Sequence, residues 1–126
     1  MKRILLVDDL NIDVMLTRLA LEGIAPGSQV VTASDGDEAY GLLLGGHFDL
    51  LLLDIKMPKV DGFELMERLQ HSPHAPARVV VVSGSGLLAD RTRATELGAG
   101  EYIQKAVDYS RFKVELKAAL QRIGFL

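Results

Sequence analysis

The chain contains no cysteine. Disulfides and thiolate metal sites are therefore excluded, and a reducing compartment suits it. It also lacks any apolar run near the roughly 20 residues that span a bilayer. It lacks a basic stripe: 14 Lys and Arg are interspersed with 17 Asp and Glu for a net charge of −3, so the electrostatic footprint of a nucleic-acid binder is missing. No secretory leader is expected either. Lys2 and Arg3 precede the apolar run Ile4–Val7, but Asp8-Asp9 closes that run far short of an h-region, and the start reads as a native cytoplasmic N-terminus. No internal repeat, low-complexity tract or linker is found. What remains is 126 residues, 48% of them apolar, the size and composition of one domain with a real core, spanning 1–126.

Apolar runs and helix-like segments alternate along the chain. Ile4–Val7, Gln29–Ala33, Phe48–Leu53, Arg78–Val82 and Glu101–Gln104 read as strands, with the fourth the most β-branched segment. Asn11–Glu22 reads as a helix with Ile12, Met15, Leu16 and Leu19 on its apolar stripe and Gly23 as its stop. Asp35–Leu44 is a second helix, with Ala39, Leu42 and Leu43 inward and Gly45-Gly46 ending it. Gly62–Gln70 is a third, burying Phe63, Met66 and Leu69. Leu87–Leu97 is a fourth, entered through Gly84-Ser85-Gly86 and ended by Gly98. Asp108 or Ser110 caps a fifth, on which Phe112, Leu116, Ala119, Leu120 and Ile123 keep helical spacing. Five βα units predict a doubly wound α/β sandwich, and right-handed crossovers with helices on both faces suit the flavodoxin-like order 2-1-3-4-5.

In such a sheet, ligands bind at the carboxyl ends of the strands. Four runs end in chemistry there: the first in Asp8-Asp9, the third in Asp54, the fourth in Ser83, and the fifth leads to Lys105. Three crowded carboxylates repel one another, and a hard divalent ion removes that cost; Mg²⁺ prefers few carboxylates plus water and phosphate oxygens. A carboxylate can attack phosphorus to form an aspartyl phosphate. Asp54, alone at the end of the central strand, is the best nucleophile candidate. Lys105 can pair with a phosphoryl oxygen and Ser83 can donate to another. Phosphoryl transfer asks mostly for positioning and charge neutralisation, which this set supplies. The simpler alternative has Asp8 and Asp9 capping the first helix and Asp54 opening a turn; it accounts for any one of these residues better than for all of them together.

The runs Ile4-Leu5-Leu6-Val7-Asp8-Asp9, Asp35-Gly36-Asp37-Glu38-Ala39, Leu51-Leu52-Leu53-Asp54-Ile55-Lys56-Met57-Pro58-Lys59-Val60-Asp61-Gly62, Val80-Val81-Val82-Ser83-Gly84 and Gly98-Ala99-Gly100-Glu101-Tyr102-Ile103-Gln104-Lys105 together resemble the receiver domain of two-component response regulators, from Met1 to about Ile123. The resemblance implies that Asp54 is the phosphoacceptor, charged from a phosphohistidine of a sensor histidine kinase or histidine phosphotransfer protein. It implies that Asp9 binds Mg²⁺ directly, Asp8 directly or through water, and the main-chain carbonyl of Lys56 as a further ligand. Ser83 would be the hydroxyl switch, Tyr102 its aromatic partner, and Lys105 the holder of a phosphoryl oxygen. The face made by the fourth helix, fifth strand and fifth helix would then carry partner binding or dimerisation, and the kinase would dock near the first helix. Tyr102-Ile103-Gln104-Lys105-Ala106-Val107-Asp108 and Asn11-Ile12-Asp13-Val14 are similar to single-domain regulators that accompany phytochrome-type kinases. One departure stands out. The family usually has Pro after its conserved Lys, with a cis bond before it; Ala106 stands here, so the Lys105–Ala106 bond is either trans on a re-routed loop or a strained cis bond.

Other readings weigh against this one. A Mg²⁺-dependent aspartyl-phosphate phosphatase would place a second Asp two residues after the nucleophile, where this chain has Lys56, so self-catalysed acceptor chemistry is expected and not enzymatic turnover. A flavin carrier needs a phosphate loop after strand one, which Asp8-Asp9 would repel. A phosphorylation-independent receiver-like binding module has only Ala106 in its favour. His71 and His74 read as solvated loop residues, the charges on the last two helices as a mixed solvated face with no nucleic acid and no membrane bound, and Phe125-Leu126 either as a frayed end or as a dimer contact.

Overall fold

A computed structural model describes residues 2–57, 60–105 and 108–126. The elements are β1 (Arg3–Val7), α1 (Asn11–Ile24), β2 (Gln29–Ala33), α2 (Gly36–Gly45), β3 (Leu50–Leu53), α3 (Gly62–Leu69), β4 (Val79–Ser83), α4 (Leu88–Glu96), β5 (Glu101–Gln104) and α5 (Tyr109–Arg122). The five strands pair in parallel in the order β2-β1-β3-β4-β5, as the βα alternation predicts. Boundaries differ from the sequence reading by a residue or two, where strand and helix ends are softest. Pro58 and the Lys105–Ala106 bond lie outside the described residues.

Strand side chains alternate between two cores, following the two-residue period of the pleat. Ile4, Leu6, Leu50, Leu52, Val80 and Val82 pack with Ala20, Leu21, Leu116 and Leu120 on the side of α1 and α5. Leu5, Val7, Leu51, Leu53 and Val81 pack with Leu43, Phe63, Met66 and Ala94 on the side of α2, α3 and α4. Both faces of β1, β3 and β4 are covered, so those strands read as unbroken apolar runs. The edge strands β2 and β5 are only partly buried and carry Gln29, Glu101 and Gln104.

Two expectations are corrected. The stripe Ile12, Met15, Leu16 and Leu19 does not face the core; Ile12, Met15 and Leu19 are 61%, 65% and 53% exposed. The buried face of α1 is Thr17, Ala20 and Leu21, with Val14 and Ile24 against it. Both sets keep helical spacing, so periodicity alone could not choose between them. Gly23 does not stop the helix, which runs to Ile24; the left-handed turn falls at Gly27, with φ +84°.

The chain end is also corrected. Phe125 neither frays nor waits for a dimer: it is 1% exposed within its own core. Its N–H donates to the Leu120 carbonyl at 2.9 Å, and the Lys2 ammonium lies 4.5 Å from its ring centroid while donating to its carbonyl.

Candidate functional site

The sheet order reverses direction between β1 and β3, which opens a crevice at their carboxyl ends. The backbone ladder continues just past the strands and fixes the residues at the rim. The N–H of Asp8 donates to the Ala33 carbonyl at 3.1 Å, that of Asp54 to the Val7 carbonyl at 2.9 Å, and that of Lys105 to the Ser83 carbonyl at 2.7 Å. Their side chains turn over the sheet edge and meet. Lys105 Nζ lies 2.9 Å from Asp8 Oδ2, 2.8 Å from Asp13 Oδ2 and 3.0 Å from Asp54 Oδ2. An ammonium has three N–H donors, and three carboxylate oxygens lie within reach of this one.

The second oxygens of the two buried carboxylates are also engaged. Asp8 Oδ1 accepts from the Leu10 N–H at 3.0 Å, and Asp54 Oδ1 from the Lys56 N–H at 3.1 Å. The capping alternative for Asp8 and Asp9 does not hold, since the N-cap position of α1 is Leu10, with no side-chain cap bond. Two glycines let the chain close in beneath. A Cβ on Gly62 would stand 2.5 Å from the Asp54 carbonyl oxygen, and one on Gly36 would stand 2.4 Å from that of Val60.

Asp8, Asp9 and Asp54 each offer an oxygen, and the three atoms lie within 4.8 Å of one another. This all-oxygen anionic set fits a hard divalent cation. Burial pushes the Asp8 carboxyl above the ordinary range, although the Leu10 N–H and the Lys105 ammonium pull the other way. Burial alone would lower Lys105, but its hydrogen bonds to Asp13 and Asp8 and the charges of Asp54 and Asp8 outweigh that and hold it above its ordinary value. Lys105 is thus an ammonium at any working pH.

Ser83 and Tyr102 belong to a second cluster beside the first. Ser83 is fully buried, and its Oγ accepts from the Ser85 N–H at 3.3 Å. The Tyr102 hydroxyl donates to the Ser85 carbonyl at 2.8 Å, with the Arg91 guanidinium 4.6 Å from its ring centroid. The Ser85 hydroxyl donates to Asp90, holding that carboxyl below its ordinary range, and the Lys56 ammonium sits 3.6 Å from the same group. The side chain of Lys56 therefore faces α4, while its N–H serves Asp54.

Sequence reasoning missed Asp13, Ser85 and Asp90. Asp13 stands in the first turn of α1, where an acidic residue is ordinary helix chemistry, so nothing local distinguished it. Its partner is 92 positions away. The charged residues of α4 and α5 form the mixed face expected, with Arg93 paired to Glu67, Arg111 to Glu115 and Arg122 to Glu101. No described helix is long and apolar enough to cross a membrane.

Comparison with known proteins gives concordant matches. The profile of the response regulator receiver domain matches residues 4–117. The transcriptional regulatory protein CpxR of Escherichia coli is 37% identical over 123 residues, covering 97% of this chain and 50% of that protein. The chain thus spans about half the length of the curated relatives it matches. Among solved structures, the phosphorylated cyanobacterial phytochrome response regulator RcpA superposes with a TM-score of 0.88 at 30% identity, covering 99% of this chain and 96% of that one. The Mn²⁺-bound response regulator Rcp1 superposes with a TM-score of 0.86 at 25% identity, covering 96% and 93%.

Proposed function

The chain belongs to the response regulator receiver domain family, and on that premise we propose that Asp54 is its phosphoacceptor. The observation that carries this is the Lys105 ammonium, held against Asp54 and Asp8 at the mouth of a three-carboxylate crevice. In the transfer, an Asp54 carboxylate oxygen forms a bond to phosphorus as the phosphorus–nitrogen bond of a phosphohistidine breaks, and the imidazole leaves. The donor is a sensor histidine kinase or a histidine phosphotransfer protein. Asp8, Asp9 and Asp54, with the main-chain carbonyl of Lys56, would hold Mg²⁺. That ion supplies neutralisation of the phosphoryl charge. Lys105 takes one phosphoryl oxygen as a point charge, and Ser83 donates its hydroxyl to another.

The switch follows from the same parts. Once the Ser83 hydroxyl turns toward a phosphoryl oxygen, the loop through Ser85 must follow, and Tyr102 is bonded to that loop. The face of α4, β5 and α5 then changes for a partner or a second copy of the chain. The exposed apolar side of α1, next to the crevice, is where the kinase would dock. The chemistry is self-catalysed acceptor chemistry, without turnover of outside substrates, because Lys56 stands where a phosphatase of this kind needs its second Asp. On this reading the chain works in the cytoplasm. The phosphorylated state of RcpA, a phytochrome response regulator, supports a partner of the phytochrome-kinase type.

Intact mass after incubation with Mg²⁺ and a small phosphodonor tests the reading. One phosphoryl group is expected on the wild type and none on Asp54→Ala. No addition to folded wild type, from either a small donor or a phosphorylated kinase, would overturn it.

A further inference from the structure

Lys105 leaves the end of β5, at one edge of the sheet, and reaches past β4 and β3 to Asp8 at the end of β1. A lysine chain carries about 2 kcal/mol of rotamer entropy, so an ammonium that must stay in such a place needs anchors. Three carboxylates supply them. Two, Asp8 and Asp54, belong to the trio able to hold a cation, and Asp54 is also the proposed acceptor. Asp13 lies outside that trio, on a different element, and makes the shortest of the three contacts at 2.8 Å. It shares a small cleft with Lys105, Thr17, Val82, Tyr109 and Phe112, whose apolar walls strengthen a charge-assisted bond.

We infer that Asp13 is a positioning residue for phosphoryl transfer: it holds the Lys105 ammonium over the crevice through a carboxylate that stands outside the cation-holding trio. This rests on the phosphoacceptor reading above. The competing role is mundane, an acidic first-turn residue favouring the positive end of α1. The two roles differ in what they require. Helix-end stabilisation needs the charge of Asp13 and is indifferent to Lys105. Anchoring needs an acceptor oxygen at that point, which Asn retains and Ala removes.

The experiment compares wild type, Asp13→Asn and Asp13→Ala by two readouts. The first is the rate of phosphoryl uptake from a small donor at saturating Mg²⁺. The second is the ammonium resonance of Lys105 in metal-free, ¹⁵N-lysine-labelled protein, assigned by its loss in Lys105→Arg. For Asp13→Ala, uptake is expected to slow by roughly tenfold or more, within the roughly hundredfold that a catalytic group misplaced by about 1 Å can cost, and the ammonium resonance to disappear into exchange with water. Asp13→Asn is expected to stay within about twofold of wild type on the same scale and to keep the resonance. Equal uptake by both variants, faster uptake than wild type by both, or an unchanged resonance in Asp13→Ala would overturn the inference. Failure of wild type itself to take up the group overturns the phosphoacceptor reading instead; the resonance then upholds or overturns the anchor by itself.

Discussion

The Tyr102 phenol donates to the Ser85 carbonyl at 2.8 Å, which fastens an aromatic of the edge strand to the loop that follows Ser83. Arg91, from α4, stacks on the same ring, so strand, loop and helix meet at one side chain. Tyr102→Phe removes the hydrogen bond and keeps the ring. Stability is expected to fall by about 1 kcal/mol, the net worth of one such bond. Hydrogen exchange should quicken at the amides of residues 84–88, measured by mass spectrometry in the absence of any phosphodonor. Unchanged exchange there would mean that the phenol does not restrain the loop, and the coupling between Ser83 and Tyr102 would lose its physical link.

A second expectation concerns Asp8, whose carboxyl burial holds above the ordinary range. A carboxyl raised on folding contributes stability while protonated, fully so below its unfolded value, and the contribution is lost as pH rises through the folded value. At neutral pH the ionised group therefore opposes folding even beside the Lys105 ammonium, unless a metal cation joins it. Asp8→Asn should raise the melting temperature in chelator, with a gain of about 1 kcal/mol, typical of neutralising a strained functional group. It should also shrink the upward shift that Mg²⁺ gives the wild type. Calorimetry with chelator and with Mg²⁺ checks both; a variant that melts like wild type in each buffer would remove the argument from burial.

Much of this was legible in the chain because each piece had a local signal. The buried strands announced themselves as continuous apolar runs, and Asp8, Asp9, Asp54 and Lys105 stood at their ends, so the sheet order alone brought them to one rim. In helix α1 spacing alone does not choose the buried face. Its two stripes, apolar Ile12–Met15–Leu19 and Val14–Thr17–Leu21 with a polar Thr in its middle, both keep helical spacing, and the strands it lies on bury the second. Asp13 escaped because its partner is a side chain from a distant element, and no residue beside it in sequence hints at the pairing; Asp90 joins Ser85, five positions before it, to Lys56 from across the fold, and only the first of these is local. Phe125 stands near the chain end, which suggests an end effect, whereas its ring is buried in the core with residues of α1 and α5.

The closeness of Gly62 to the acceptor loop gives a third expectation. A methyl group there would stand 2.5 Å from the Asp54 carbonyl oxygen and 2.7 Å from the Ile55 Cα, both backbone atoms that cannot swing aside. Gly62 opens α3 behind the Asp61 cap, whose carboxylate accepts from the Glu64 N–H at 2.9 Å, so the helix cannot simply slide. Gly62→Ala is expected to destabilise by about 1–3 kcal/mol, the usual cost of overpacking. Gly41→Ala is the control: it meets nothing within 4 Å and should be neutral or stabilising through helix propensity. Urea denaturation of the two variants separates a packing clash from a general intolerance of change. A Gly62 variant as stable as wild type would show that the loop carrying Asp54 yields at no cost.

The last expectation turns the corrected face of α1 into a test of docking. Ile12, Met15 and Leu19 are exposed on the same helix that brings Asp13 to Lys105, so an apolar surface begins beside the crevice where the acceptor sits. Single exposed apolar residues are ordinary, but several aligned on one helix face at the rim of a reactive site offer a partner both area and register. A donor that delivers a phosphoryl group from a histidine must cover this rim, whereas a small donor needs only the crevice. Met15→Glu and Leu19→Glu are therefore expected to leave stability within about 0.5 kcal/mol of wild type, as surface substitutions do, and to leave uptake from a small phosphodonor unchanged. Transfer from a phosphorylated kinase or phosphotransfer protein that charges the wild type should fall about tenfold or more, on the scale of an interface residue worth over 1 kcal/mol. Equal loss with both donors would place the damage in the site itself, and no loss with either would move the docking surface off α1.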